Sequence, residues 1–315
     1  MTSVFIDGAS GTTGLEIHHR LADRGEFSLV TLDDARRKDA HARREALNDA
    51  DIVILCLPDD AAREAVAMIA NDHSRVIDAS TAHRVAPGWV YGFAELAPDQ
   101  ADRIAGAKRV SNPGCYPTGF LALIAPLVRA GLVPADWPLS VNATSGYSGG
   151  GKAMIAEFES GDAATAFRAY GLRGAHKHVA EMQHHAGLAH PPIFQPTVAA
   201  THRGMIVEVP LPLAQMPGRP SPADCLAVLR DAYADSPLVR VIEDDAALIL
   251  IEELAGTDQM QLRVLGNAAA GQARLIATLD NLGKGASGTA VQNLNIMAGL
   301  DPIAGLMLKG EMAHA

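Results

Sequence analysis

Close to the N-terminus the apolar run Val4–Ile6 stops at DGASGTTG and gives way at once to a helical pattern from Leu15 to Leu21. Gly8, Gly11 and Gly14 recur at every third position across that junction. Glycines at this spacing let a strand bend sharply into a helix, and they let the backbone approach a pyrophosphate whose charge the helix N-terminus meets. The feature predicts a strand, turn and helix that open a parallel α/β sheet and carry a dinucleotide. Downstream, FSLVTL from Phe27, DIVILCLP from Asp51 and RVIDAS from Arg75 read as strands, with AAREAVAMIA a helix between the last two. Such alternation predicts a parallel sheet wrapped on both faces.

Around Ser111 the texture changes. After a long helix, PTGFLALIAPLVRAGL, come LSVNATSG, IFQPTVAA, GMIVEVPL, MQLRVLGNA and ARLIATLDNL, longer strands with few helices between the last two. This pattern predicts a second, α+β domain with an antiparallel sheet. The SGTAVQNLNIMAGL segment reads as a helix with no further strand to join, expected to pack back on the first domain. A length of 315 residues agrees with two domains.

The ribose end of the dinucleotide site stays open on spacing. Asp33 and Asp34 stand where an acid would take the ribose diol of NAD, yet Arg36, Arg37 and Lys38 follow at once and suit a 2′-phosphate. Acidic residues outnumber basic ones, 36 to 26, which argues against nucleic acid as a partner. The start MTSVFIDG is too polar for a signal peptide and no apolar run is long enough to span a bilayer, so neither export nor a membrane is expected. Three cysteines without CxxC spacing favour a reducing, cytoplasmic setting.

One of the three cysteines stands out. In SNPGCYPTG, Cys115 follows a Pro-Gly turn and precedes a helix whose first turn accepts Pro117, so its sulfur is expected at a helix N-terminus. There the thiolate, the nucleophilic form, is favoured. Asn112 and the Cys115 N–H are candidates to hold an oxyanion. Cys56, in a buried strand, and Cys225, on a helix, are expected to be inert. GAHKHVAEMQHH offers a proton shuttle: His176 and His178 on an extended segment would face one side, while His184 and His185 look like helix-surface residues. No metal is expected from this cluster, which lacks accompanying cysteines or spaced carboxylates. TSGYSGGGK from Thr144 reads either as a glycine-rich turn suited to an anion, with Lys152 adding charge, or as a plain flexible loop, and Arg84 and Arg203 suit phosphate or carboxylate, although a surface position is the commoner one for arginine. Together these parts point to acyl-transfer redox chemistry, in which a thiolate displaces phosphate and hydride reduces the thioester.

In this order and over nearly the whole chain, DGASGTTG, CLPD, DASTAHR, SNPGCYPTG, NATSGYSGGGK, HKHVAE and NLGKGASGTAVQNLN resemble the N-acetyl-gamma-glutamyl-phosphate reductase family in its shorter, type 2 form. The resemblance implies NADPH-dependent reductive dephosphorylation of N-acetyl-L-glutamyl 5-phosphate to the 5-semialdehyde and inorganic phosphate, through a cysteine thioester, as the third step of arginine biosynthesis. It implies a Rossmann-type domain, residues 1–113 with 284–315, and an α+β catalytic and dimerisation domain, residues 114–283, like that of aspartate-semialdehyde dehydrogenase, in a homo-oligomer (dimer or tetramer). Carried onto this sequence, it makes Cys115 the nucleophile and His178 the acid/base, with His176 and Asn112 assisting. The cofactor set becomes Gly8, Ser10, Gly11, Thr12, Thr13 and Gly14, then Arg36, Arg37 and Lys38, Cys56, Leu57, Pro58 and Ser80, with Asn281, Lys284 and Gly285 near the nicotinamide. Arg84, Ser148, Gly149 and Arg203 become the substrate set. The longer type of the family has H-R-H and S-G-A-G-R where this chain has H-K-H and S-G-G-G-K. Rival expectations are an aspartate-semialdehyde dehydrogenase-like reductase of another acyl phosphate, and a non-catalytic NADP-binding sensor.

Overall fold

The computed structural model describes residues 1–33, 35–161, 163 and 165–309. It divides into two compact units. The first comprises Met1–Ala94, Asp99–Gly114 and Ala286–Leu306; the second comprises Glu95–Pro98, Cys115–Gly285 and the segment from Met307.

In the first unit β1 (Thr2–Asp7), α1 (Thr12–Leu21), β2 (Phe27–Val30), α2 (Ala40–Asp49), β3 (Ile52–Leu55), α3 (Asp59–Met68) and β4 (Arg75–Asp78) alternate. They are followed by β5 (Val90–Tyr91), α4 (Gln100–Gly106) and β6 (Arg109–Ser111). The strands form one parallel sheet in the order β2-β1-β3-β4-β6-β5. Every residue of β3 is buried, as expected of a strand covered on both faces. α2 escapes the sequence reading because charged residues dominate AHARREALND.

The second unit opens on α5 (Cys115–Arg129), in which every residue from Tyr116 to Leu127 is buried. A helix apolar all round belongs in a core. Pro126 lies inside it and cannot donate to the carbonyl four residues back. That carbonyl, Ala122 O, instead accepts the buried Tyr233 hydroxyl at 2.9 Å. Next come β7 (Ser140–Gly146), α6 (Gly151–Glu159), β8 (Phe167–Ala169), α7 (His178–Ala186), β9 (Ile193–Ala199), β10 (Met205–Leu211), α8 (Pro222–Ala232), β11 (Val239–Val241), β12 (Met260–Asn267) and β13 (Gln272–Leu279). The sheet order is β11-β12-β13-β10-β7-β9-β8. The expected antiparallel sheet is in fact mixed: β7 with β9 and β11 with β12 are parallel. A parallel pair needs a long crossover. The chain between β7 and β9, which carries α6, β8 and α7, supplies one. Past a π-helical turn at Gly283–Ser287, α9 (Gly288–Met297) returns to the first unit, where it packs against α1, α4 and β4.

Candidate active site

The first unit presents a cavity of about 570 Å³ at the carboxyl end of β1, lined by Gly8, Ser10, Leu32, Leu57, Arg37, Lys38 and Arg43 among others. Gly11 is the N-cap of α1 and no side chain caps the helix, so its first-turn N–H groups, at Thr12 and Thr13, face outward for an anion. The three glycines are not equivalent. A methyl at Gly8 (φ +89°) would overlap the Cys56 carbonyl, and one at Gly14 would overlap the Gly8 carbonyl; at Gly11 the nearest atom would be 3.4 Å away. The fold itself requires Gly8 and Gly14, whereas Gly11 keeps open the space a ligand approaches.

The Asp33 carboxylate accepts the Arg36 N–H at 2.8 Å through one oxygen, which ties it to the turn at residues 35–38. Asp34 lies outside the described residues. That turn sends Arg37 to the Ser10 hydroxyl (3.0 Å) at the cavity wall, beside Lys38. Arg36 instead faces Glu45 at 3.8 Å on the surface, so of the three basic residues it is the one turned away from the cavity. Sequence reasoning missed Arg43 and Asp7, whose side chains pair at 2.8 Å in the cavity wall. Asp7 ends β1 directly before the glycines, a position legible in hindsight; Arg43, on α2, carried no signal.

Cys56, Leu57 and Pro58 link β3 to α3, and Leu57 lines the cavity. Burial, reinforced by the Asp78 and Asp7 charges, pushes the Cys56 thiol up to about 12. Burial also raises Cys225 to about 11. Neither is a nucleophile near neutrality. Ser80 is buried, its hydroxyl donating to Asp78 at 2.7 Å, and Asp78 also meets His83 Nδ1 at 2.6 Å.

Two residues expected at substrate make hydrogen bonds within the first unit. Arg84 is buried, and its guanidinium donates to the carbonyls of Asn112 (3.0 Å) and Ala79 (3.2 Å). Asn112 is 1% exposed; its amide donates to Ala286 O at 3.0 Å and accepts from Asn293 at 3.1 Å. A carboxamide held at both ends fixes the loop that leads into Cys115.

In the second unit Cys115 is the first residue of α5, at the helix end whose dipole favours a thiolate. The neighbouring Tyr116 hydroxyl donates to Thr197 O (3.0 Å) and accepts from Tyr170 (3.1 Å). Burial, with the Tyr170 and Cys115 charges, raises the Tyr116 phenol strongly, and burial pushes Tyr170 up to about 12. Both phenols therefore stay protonated. Phe194, His176 and His178 pack on Tyr116, and the two imidazole centroids are 4.8 Å apart. The segment is not extended: His178 opens α7, and His176 sits in the turn before it. His176 Nδ1 accepts the His178 backbone N–H at 3.2 Å, which puts the proton of the neutral ring on Nε2. Burial, and then Lys177, lower the His176 pKa. Tyr116 and Tyr170 were missed from sequence. For Tyr116 the clue was adjacency to the cysteine; for Tyr170 none existed.

The glycine-rich turn after β7 is less of an anion cradle than its composition implied, because the N–H groups of Gly146, Tyr147 and Ser148 are given to the carbonyls of Gly204, Thr201 and His202. Ser148 Oγ accepts from Asn281 (2.8 Å), whose carbonyl accepts the Gly204 N–H (3.0 Å). Gly149 packs beside Asn281. Arg203 pairs with the buried Asp280 at 2.8 Å. The structure thus joins Ser148, Gly149 and Arg203, expected at substrate, with Asn281, expected at cofactor, into one cluster inside the second unit.

The semialdehyde dehydrogenase NAD binding domain family matches residues 3–104, and the semialdehyde dehydrogenase dimerisation domain family matches residues 115–281. The N-acetyl-gamma-glutamyl-phosphate reductase of Brucella ovis is 53% identical over 306 residues, covering 94% of this chain and 98% of its own length. N-acetyl-gamma-glutamyl-phosphate reductase 2 of Pseudomonas putida is 53% identical over 302 residues, covering 94% and 96%. The chain belongs to the N-acetyl-gamma-glutamyl-phosphate reductase family. Solved structures that resemble this reductase-family chain are more distant. Aspartate semialdehyde dehydrogenase II of Vibrio cholerae, complexed with ASA, has a TM-score of 0.71 at 15% identity, covering 95% of this chain and 98% of that one. The enzyme of Candida albicans with NADP has a TM-score of 0.65 at 14% identity, covering 94% and 98%. These two likenesses show the fold, a parallel-sheet domain joined to a mixed-sheet one. Within the reductase family frame, Lys284 is a further residue the geometry redefines. It is 1% exposed, with its ammonium on both oxygens of Glu95 at 2.9 and 2.8 Å.

Proposed function

We propose that this chain reduces N-acetyl-L-glutamyl 5-phosphate to N-acetyl-L-glutamate 5-semialdehyde and inorganic phosphate with NADPH, through a thioester on Cys115. The observation that carries the reading is Cys115 at the N-terminus of a buried helix, in a chain 53% identical to named reductases over nearly its whole length. Residues 1–113 with 284–315 are assigned to NADP, and residues 114–283 to catalysis and dimerisation. The cavity beside the glycine turn fits the cofactor's anionic end: Arg37 and Lys38 meet a 2′-phosphate, and the open N-terminus of α1 meets the pyrophosphate.

The chemistry follows from the chain's own groups. The Cys115 thiolate attacks the acyl carbon, the oxyanion collapses, the C–O bond to phosphate breaks and phosphate leaves, giving the thioester. NADPH, when bound, supplies the hydride that reduces the thioester carbon. His178 gives the proton to the resulting oxygen of the thiohemiacetal and takes it back as the C–S bond breaks, releasing aldehyde and thiolate. His176, with Nδ1 accepting the His178 N–H, presents Nε2–H to the ligand and is assigned to orienting it. Arg203, mostly buried and paired with Asp280 through Nε at 2.8 Å, is assigned to the phosphate, with Ser148 beside it.

Phe167, Leu172 and Ile193 are exposed around a cavity of about 650 Å³ at the β9-β8 edge of the second sheet, which suits an interface with another copy of the chain. Among the described residues no helix is long and apolar enough to cross a membrane. We assign the enzyme to the cytoplasm and to the third step of arginine biosynthesis. The test is to mix the protein with the acyl phosphate without NADPH and weigh the intact chain. An N-acetylglutamyl adduct on Cys115 is expected, and an unmodified Cys115 in a preparation that turns over refutes the covalent route. Phosphate-dependent NADP reduction by N-acetylglutamate semialdehyde, run beside aspartate semialdehyde, separates the two substrate assignments.

A further inference from the structure

We propose that the turn from Asp280 to Gly285 positions the Cys115 sulfur, with Gly285 as the surface its side chain rests on and Asp280 as the anchor. The proposal rests on the reading of Cys115 as nucleophile and adds residues to it.

All the contacts lie inside the second unit. A Cβ placed on Gly285 would stand 2.8 Å from Cys115 Cβ and 3.3 Å from its Cα. Carbon atoms without a bond between them settle at about 3.5–4.0 Å. The bare backbone of Gly285 is therefore what allows Cys115 to sit where it does, and a side chain there would displace the cysteine. The turn is held from three directions. The Gly285 N–H donates to Asp280 O at 2.9 Å, and from Gly283 to Ser287 the chain winds as a π-helix, a form common at functional sites. Asp280 is fully buried; one carboxylate oxygen accepts the N–H groups of Leu282 (2.7 Å) and Gly283 (2.9 Å). Its other oxygen takes the Gly256 N–H and the Arg203 guanidinium, 2.8 Å from Nε. Lys284, between the two glycines, is tied to Glu95. A turn pinned at Asp280, Gly283, Lys284 and Gly285 is rigid, and rigidity is what a nucleophile's seat needs: a displacement of about 1 Å can cost on the order of a hundredfold in rate. The same Asp280 thus orients Arg203 on one side and the seat of Cys115 on the other.

The test is Gly285→Ala in the full-length protein. Three readouts are needed: the second-order rate of iodoacetamide alkylation of Cys115 without cofactor, followed by intact mass; kcat and KM for N-acetylglutamate semialdehyde with phosphate; and the Kd for NADPH. The expected result is a loss of kcat on the order of a hundredfold and slower alkylation in the absence of cofactor, with KM unchanged; the NADPH Kd separates any loss of cofactor contact at Gly285 from the effect on Cys115. Wild-type kcat and alkylation in a folded Gly285→Ala protein overturn the proposal. Should that variant fail to fold, Asp280→Asn, which puts an amide NH2 where the Gly256 N–H now finds an acceptor and so loosens the anchor of the turn, is read by the alkylation rate of Cys115 alone, and a wild-type rate there overturns it equally. A wild-type Cys115 that resists alkylation while the enzyme turns over fails the nucleophile reading itself, an outcome distinct from the other two.

Discussion

Replacing Gly11 by serine is expected to make the protein more stable and its cofactor affinity weaker. Gly11 has φ −74° and ψ 165°, ordinary extended backbone that serine adopts without strain, and it caps α1 without a side chain. A serine there gains the missing N-cap hydrogen bond, worth a few tenths of a kcal/mol over glycine, because its hydroxyl accepts from the first-turn N–H groups. It also restricts the unfolded chain, adding about 0.4–1 kcal/mol. The sum, about 0.5–1.5 kcal/mol, raises Tm by roughly 1–4 °C in a chain of this size. Nothing in the protein opposes the new side chain, since the nearest atom to the added Cβ is Gly8 O at 3.4 Å. The same hydroxymethyl group stands where a pyrophosphate would meet the helix, and its hydroxyl competes for the same N–H groups. Losing one charge-assisted hydrogen bond costs about 1.5–3 kcal/mol, a Kd for NADPH roughly 10–150-fold weaker. Differential scanning calorimetry and a fluorescence titration with NADPH read the two effects on one preparation. Unchanged NADPH affinity with a raised Tm would show that the pyrophosphate does not approach α1 at Gly11. Gly8→Ala and Gly14→Ala are the contrast: both lose stability, because the added methyl overlaps backbone in the unligated protein.

Arg37→Ala weakens NADPH by roughly 10–150-fold and leaves NADH nearly unaffected, whereas Arg36→Ala, which removes a surface partner of Glu45, changes neither; a larger effect at Arg36 in the same titration contradicts the turn geometry. Glu95→Gln leaves the Lys284 ammonium buried without its counter-charge and lowers unfolding stability by about 3–5 kcal/mol, read as an earlier urea midpoint; pairing it with Lys284→Met recovers most of the loss. For His176, burial and Lys177 hold the folded pKa below the ordinary value of about 6.5. The unfolded chain therefore binds its proton first as pH falls, so this contribution to stability is complete above about 6.5 and is lost on descending toward the lower, folded value. In urea midpoints measured down that range, His176→Gln flattens the fall; an unaltered slope shows that His176 is not its source.

Local chemistry made much of this protein readable before folding was considered. A glycine turn after a strand, a proline behind a cysteine and paired histidines each constrain their own neighbourhood, through backbone freedom, helix-end electrostatics or side-chain type, and those constraints act over a few residues. The parallel sheet of the first unit followed from buried strands such as β3 for the same reason. The mixed pairing of the second sheet did not, because the direction in which β7 meets β9 depends on the path of the residues between them, and local periodicity is silent about that path.

The sequence by itself determined which groups are present and where the chain must turn: a thiol at a helix start, a nucleotide turn, a basic run after β2. Tertiary structure decided which of those groups remain at hand for a ligand. Arg84 and Asn112 hydrogen-bond within the first unit, Lys284 pairs with Glu95, and Arg36 faces Glu45 while Arg37 lines the cavity. Asp280 and Tyr233 carried no signal, yet one anchors the turn under Cys115 and the other answers the carbonyl that Pro126 leaves open. The physical reason is common to all of them. A buried polar group must find its complement, and that complement, in Tyr233 and Ala122 more than a hundred residues apart, is a matter of position in space that neighbours in sequence do not encode.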